Sequence, residues 1–323
     1  MKWNEVLKTY PEANFLQSPE YAQMNEILGD KTLLLELGDK GYGLAIVRDA
    51  KRGKYLEIPC GPLIDWEDEQ AANEMLTVIR EAGRCERCVF VRIRPQIKAT
   101  SENLALLARL GLKKSPMHLA AEHTVMIDLL ADEPTMLARM RRQTRYEVRR
   151  AEKLRIVVSK GQSRTDFEEF YRVQQETAKR QGFVPPSLKV LLAEREAFLE
   201  NIWIYKATLE DEPVAYGLII GCGKEADYYE AASTELNRKI PGAYALLWQA
   251  MRDLKGAGYE RFNLWGIAPA GQPNHRYAGV TTFKTGFGGE VVEYVPAHDL
   301  VLSKVGYIKD YIVEMARKKR RNL

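Results

Sequence analysis

The stretch LLLELGDKGYGLAIV (33–47) places two apolar runs on either side of a glycine-bearing turn, which is the local pattern of a β-hairpin. An equivalent arrangement returns in IWIYKATLEDEPVAYGLIIG (202–221), where the turn is EDEP. The elements after each hairpin are also alike. After the first come KYLEI, a helical segment near Glu69 to Ala82 and the strand CVFVRIR. After the second come ADYYEAA, a helix near Pro241 to Lys255 and the strand RFNLW. The turns begin at Gly38 and Glu210, 172 residues apart, and the triplets CER and YER before the closing strands start 174 apart, at Cys85 and Tyr259. Preserved order with preserved spacing points to a duplicated α/β unit. Each copy is expected to be a mixed sheet whose crossover helix returns the chain beside a parallel strand. Two unrelated α/β stretches are the competing explanation.

Bulk properties agree with two folded units. At 323 residues the chain exceeds the size at which one core stops growing. A composition of 46% hydrophobic and 28% charged residues is that of an ordinary globular protein. The net charge of +4 is mild, so affinity for a polyanion must come from local clustering. No apolar run approaches the roughly 18 to 20 residues that span a bilayer, and MKWNEVLKTY (1–10) lacks the apolar core of a secretion signal, so a cytoplasmic protein is expected. The four cysteines do not suggest a disulfide framework. Cys85 and Cys88 form a CxxC, but no histidine stands nearby at ligand spacing, and buried or structural thiols are expected. His118, His123, His275 and His298 are scattered, so no metal site is expected.

Between the copies, LADEPTMLARMRRQTRYEVRRAEK (130–153) reads as one long helix with Asp132 as N-cap and Pro134 near its start. Further helices are expected over TDFEEFYRVQQETAKRQ up to Gly182, from about Ser187 to Glu200, and from Lys304 to Arg321, ending in RKKRR. Within RRQTRYEVRRAEK (141–153), Arg141, Arg145 and Arg149 share one helical face, and Arg142, Tyr146, Arg149 and Lys153 form the adjoining stripe. This is either a solvated, salt-bridged face or a site for a diphosphate, whose oxygens suit the planar guanidinium fork.

RRQTRYEVRRAEK resembles the signature of the FemABX-type peptidoglycan-bridge aminoacyltransferases. FLQSPEYA (15–22), PCGPLID (59–65) and QQETAKRQGF (174–183) are similar to further motifs of that family. YYEAAS, PGAYALLWQAM, FNLWGI, FKTGFGGEVVEY and HDLVLS then come in family order. The resemblance covers nearly the whole chain. It implies an α/β fold of two tandem acetyltransferase-like (GNAT) domains with mixed sheets. The first is expected over 1–130 and the second over 131–300, with the helix at about 301–323 packing back on the first. About 21 residues separate Phe183 from Trp203, room for one helix, so the family's long helical arm is not expected.

The resemblance also implies an aminoacyltransferase with aminoacyl-tRNA as co-substrate and no other cofactor. The acceptor would be UDP-MurNAc-pentapeptide or lipid II. Apart from the resemblance, a monomer is expected, with peripheral contact to the inner membrane surface through the basic tail. Because an aminoacyl ester is already activated, the remaining work is to position the amine, remove its proton and stabilise the oxyanion. Lys284, beside glycines 286, 288 and 289 that permit close approach of a substrate backbone, is the candidate for the last task. An ordinary surface lysine beside a glycine turn is the alternative. By resemblance, Phe283 and Lys284 contact the tRNA acceptor end, and Arg149, Arg145 and Tyr146 contact the precursor's phosphates. The lysine that comes after the family's N-terminal motif is replaced by Gln23, Met24 and Asn25. Asp65 is placed to orient or deprotonate the acceptor amine, or to cap a neighbouring backbone. Tyr229 either lines the cleft or belongs to the core.

Two rival functions fit parts of the chain. NRKIPGAY (237–244) occupies the place of an acyl-CoA pyrophosphate loop, and Arg238 and Gly242 match it loosely because Pro241 removes an amide. The basic segment and RKKRR also suit a non-enzymatic module for nucleic acid or a membrane surface.

Overall fold

The computed structural model describes residues 3–10, 12–272, 275 and 277–321. The chain separates into two units, 1–122 joined by 293–323, and 123–292. The division therefore falls after Glu122 rather than Leu130, and the returning segment begins at Glu293, ahead of the helix expected to return.

In chain order the first unit begins with α1 (Trp3–Thr9), α2 (Pro19–Leu28), β1 (Lys31–Glu36), β2 (Gly41–Ala50), β3 (Gly53–Pro59), β4 (Leu63–Ile64), α3 (Glu69–Cys85), β5 (Cys88–Arg94), α4 (Ser101–Arg109) and β6 (Lys113–Lys114). The second holds β7 (His123–Asp128), α5 (Glu133–Arg139), α6 (Arg142–Lys153), β8 (Val157–Gly161), α7 (Arg164–Gln181), α8 (Leu188–Phe198), β9 (Ile202–Leu209), β10 (Glu212–Cys222), β11 (Glu225–Ser233), α9 (Gly242–Gly256), β12 (Arg261–Asn263) and α10 (Ala278–Thr285). The chain continues through β13 (Glu290–Glu293), then β14 (His298–Val301) and α11 (Lys304–Arg321) of the first unit.

The duplication is visible in the sheets. One runs β1-β2-β3-β5-β14-β6, with β4 beside β2, and the other runs β13-β7-β12-β11-β10-β9-β8. Hairpin β1/β2 corresponds to β9/β10, and in each copy the next strand pairs parallel with the strand after a crossover helix: β3 with β5, β11 with β12. The second hairpin closes on Glu210 and Asp211, both with positive φ (49° and 66°), the two-residue turn whose twist matches paired strands.

In the first unit α3 buries Ala72, Met75, Leu76 and Ile79 against Leu56, Ile58, Val91 and Ile93 of the sheet. The FLQS and PCGP motifs meet here as a structural device. Buried Gln17 accepts from Leu44 N–H at 2.8 Å and donates to the carbonyls of Leu44 and Pro59 at 3.2 and 2.7 Å. A Cβ on Gly61 would lie 2.5 Å from the Gln17 side chain, so glycine is needed there. Ser18 caps α2. The returning segment is held by Arg92, which makes bidentate bonds to Asp299 and to Glu314, while Tyr307 donates to Asp299.

In the second unit α9 carries Leu246, Leu247, Ala250 and Met251 into a core with Tyr205, Ile219, Phe262 and Phe287. The long helix expected over 130–153 is two helices. Met140 is extended (ψ 147°) and buried, and Arg141 is extended as well. The cause lies far along the chain. Arg141 N–H donates to Gly286 O at 2.8 Å, and the Arg139 carbonyl occupies the space that a Cβ on Gly288 would need. A continuous helix cannot lie so close to that turn, so it breaks and Met140 drops into the core.

Candidate functional site

Strands β11 and β12 pair only over Glu225–Asp227 with Arg261–Asn263. Beyond Asn263 the chain stays with β7, through Leu264 N–H to Val125 O at 2.8 Å and Ile267 N–H to His123 O at 2.9 Å, and leaves β11. The parallel pair of the first unit keeps its register from Leu56 to Pro59. The second copy alone is split, at the carboxyl ends of two parallel strands, where α/β sheets bind ligands.

Two irregular residues make the split. A bulge in β11 sets Tyr228 opposite Ile219 and Glu230 opposite Leu218, so Tyr229 is the extra residue. Trp265, just past β12, has φ 60°, costly for a bulky side chain and characteristic of functional sites. The Asn263 side chain holds that conformation by accepting from Trp265 N–H at 2.9 Å and from the Thr124 hydroxyl. Tyr229 packs edge-on against Trp265, with ring centroids 5.4 Å apart. The bulge also reverses the parity of the strand. Tyr228 joins the core on the α9 face, whereas Glu230 accepts a hydrogen bond from Gln174 of α7.

Lys284 reaches this place from the last turn of α10. It is 8% exposed, which excludes an ordinary surface lysine, and its Nζ donates to Gly266 O at 2.9 Å. Nζ also stands 5.8 Å from the Tyr228 ring centroid. Loss of hydration lowers its pKa from 10.5 to about 7. Phe283 turns away into an aromatic cluster with Tyr244 and Phe287, at centroid distances of 5.0 and 5.4 Å. On the other face, burial pushes the Glu230 carboxyl up to about 7, and the neighbouring buried Glu194 is raised as well.

The glycines after Lys284 do not face a substrate. Ideal Cβ atoms on Gly286, Gly288 and Gly289 would strike Thr144 and Arg141, the Arg139 and Met140 backbone, and the Met126 backbone, so the close approach they permit is that of the protein's own chain. This seam joins the cationic helix to α10, and Arg141 adds a bond to Thr282 O at 2.5 Å.

The cations of α6 divide into two groups. Arg145, expected at the precursor's phosphates, instead donates to the Ala138 and Met140 carbonyls at the end of α5, and Arg150 binds Glu147 and Lys239 O. Arg142, Tyr146, Arg149 and Lys153 remain exposed on one stripe, while Thr144, Val148 and Ala151 face inward. Among the described residues Arg149 has no ion-pair partner. Asp65 belongs to the first unit; it is exposed, and its carboxylate accepts from Glu67 N–H at 2.9 Å, the backbone cap that sequence left open.

The loop that would receive an acyl-CoA pyrophosphate is occupied by the chain itself. Gly242 N–H donates to Ile240 O at 2.8 Å and Ala243 N–H to the Asn237 side chain at 3.0 Å. Arg238 pairs with Glu235. At the corresponding helix of the first unit, Asp68 caps the amides of Gln70 and Ala71 and would repel an anion. His118 pairs with Glu122 at 2.7 Å. Among the described residues no three His, Cys, Asp or Glu side chains are grouped to hold a metal, and Cys85 and Cys88 are not joined in a disulfide.

Lys284, Phe283 and Tyr229 thus lie at one end of the second sheet, and α6 starts beside them. Sequence reading missed Trp265, Gly266 and Glu230, although WG directly after a strand and the acidic residue in YYEAAS were available signals.

Comparison with known proteins agrees with this architecture. A crystal structure of FemX superposes with a TM-score of 0.86, covering 97% of this chain and 98% of that one at 15% identity. A tandem GNAT protein from the clavulanic acid biosynthesis pathway superposes at 0.52 over 93% and 92% of the two chains, at 12% identity. The aminoacyltransferase FemA of Staphylococcus aureus is 29% identical over 83 residues, or 26% of this chain and 20% of that protein. The chain therefore spans about a fifth of the length of the curated relatives it matches. The FemAB family model matches residues 2–108 and 191–314, well over half of the sequence, and the chain belongs to the FemAB family.

Proposed function

We propose that the protein moves an amino acid from aminoacyl-tRNA to an amine on the stem peptide of a peptidoglycan precursor, either UDP-MurNAc-pentapeptide or lipid II. It works without a bound cofactor, in the cytoplasm and against the inner face of the membrane. The observation that carries the reading is Lys284, desolvated at the split between β11 and β12 in a FemAB-family fold. The acceptor nitrogen attacks the ester carbonyl, the bond to the ribose oxygen breaks, and the proton lost by the amine ends on that oxygen. An ammonium has three N–H donors. One binds Gly266 O, and the other two are available to the oxyanion formed during attack. In so dry a place a fixed cation lowers the barrier more than it would in water, and loss of one such donor typically costs about 100- to 1,000-fold in rate.

Arg149 and Arg142, two turns apart on the exposed stripe with Tyr146 between them, are assigned to the precursor's diphosphate. Asp65 is given no part in the transfer step, since its carboxylate accepts from the Glu67 backbone amide.

The test incubates the protein with charged tRNAs and a muramyl pentapeptide, in soluble and lipid-linked form, and separately with acetyl-CoA. Peptide-bond formation from tRNA that is lost in Lys284→Met supports the reading. Turnover with the thioester alone, or full activity in Lys284→Met, overturns it.

A further inference from the structure

Helix α11 presents two faces of opposite character. Its inner side is fixed to the first unit: Tyr307 is 7% exposed and bonded to Asp299, Asp310 is 4% exposed and paired with Arg52, and Glu314 binds Arg92. The outer side carries Val305 (70% exposed), Ile308 (57%), Ile312 (62%) and Met315 (44%), with Tyr311 beside them. Their spacing of three and four residues makes one continuous apolar stripe along a helix of 18 residues, about 27 Å long.

The charges complete the pattern. The helix has two acidic residues, Asp310 and Glu314, and both are turned inward and neutralised. Lys304, Lys309 and Arg317 are exposed, and the segment RKKRR closes the helix; the side chains of residues 319–321 lie outside the described residues. An apolar stripe bordered by cations and free of exposed acid is complementary to a surface that is apolar beneath and anionic on top. Among the described residues no helix is long and apolar enough to cross a membrane. We infer that the outer face of α11 lies in the interface of an anionic lipid bilayer, with Ile308 and Ile312 at acyl depth and Lys304 and Lys309, which flank the stripe, among the headgroups. The stripe gives the proposed membrane contact a definite surface, and vesicle partition is read without any transfer taking place, so its failure is distinguishable from failure of the transfer reaction.

The experiment is co-sedimentation of the full chain with phosphatidylglycerol/phosphatidylcholine vesicles and with phosphatidylcholine vesicles, at 50 and 300 mM salt. Partition into the anionic vesicles, weakened by salt, is expected. Lys304→Gln with Lys309→Gln should lower the partition about 20- to 30-fold at low salt, since each cation near such a surface contributes about fivefold. Ile308→Asp with Ile312→Asp should abolish it, while circular dichroism and charged-tRNA binding stay unchanged because both side chains point away from the core. Vesicle binding that the isoleucine pair does not alter, or no partition at either salt, overturns the inference. So does a dimer that the same pair converts to monomer, which would make the stripe an interface between copies, or loss of tRNA binding in the pair.

Discussion

Replacing Lys284 with methionine is expected to stabilise the protein while disabling it. Burial moves the ammonium from 10.5 to about 7, a difference equivalent to about 5 kcal/mol between the hydrated and the buried cation. Methionine fits a site of the same length and carries no charge. Losing the hydrogen bond that the amine donates to Gly266 offsets about 1 kcal/mol, which leaves a net gain near 3 kcal/mol at pH 7. The sign comes from linkage. Between about pH 7 and 10.5 the unfolded lysine binds more protons than the folded one, so wild-type stability rises with pH through that window and the advantage of methionine shrinks. By pH 9 only about 2 kcal/mol of the penalty remains, and the advantage of methionine should have fallen to about 1 kcal/mol. Urea denaturation of both at pH 7, 8 and 9 measures this directly. Parallel pH dependence, or a variant less stable at pH 7, would refute a desolvated cation at this position. Transfer supplies the complementary signature. If the cation works on the oxyanion, turnover by the wild type falls as pH rises past about 7, and Lys284→Arg, which cannot lose its proton, should shift that limb upward.

Other substitutions separate fold from site. Gln17→Leu leaves Leu44 N–H and two carbonyls without their partner and should cost about 2–4 kcal/mol, read as a lowered Tm. Gly288→Ala adds a Cβ at φ 84° against the Arg139 carbonyl, and a loss of at least about 2 kcal/mol is expected, with weaker precursor binding as α6 shifts. Arg149→Ala should raise the KM for the precursor about tenfold at unchanged Tm. Arg145→Ala should do the reverse, lowering Tm by a few degrees with little change in KM, because its guanidinium caps α5.

The sequence disclosed what is local and periodic. Both hairpins, both crossover helices and the ends of α7 and α8 can be read from apolar alternation, caps such as Ser187 and stops such as Gly182. It concealed whatever depends on distant segments. Nothing at Met140 resembles a helix breaker; the break is imposed by glycines some 146 to 148 positions further along, and those glycines read as substrate-facing for the same reason. Arg145 and Arg149 are indistinguishable on a helical wheel, yet the turn created by that break gives Arg145 carbonyls to bind and leaves Arg149 exposed. The split between β11 and β12 was equally hidden, since a bulge at Tyr229 and a left-handed Trp265 change no residue pattern.

Residues 123–292 form one uninterrupted span, whereas β5 waits for β14, whose Leu300 pairs with Val91 across more than two hundred intervening residues. During synthesis the later copy can acquire its native packing first, and the earlier one stays unfinished at that margin until the returning strand emerges. An exposed strand border is a place for mispairing, so nascent chains stalled before residue 298 should be especially prone to aggregate.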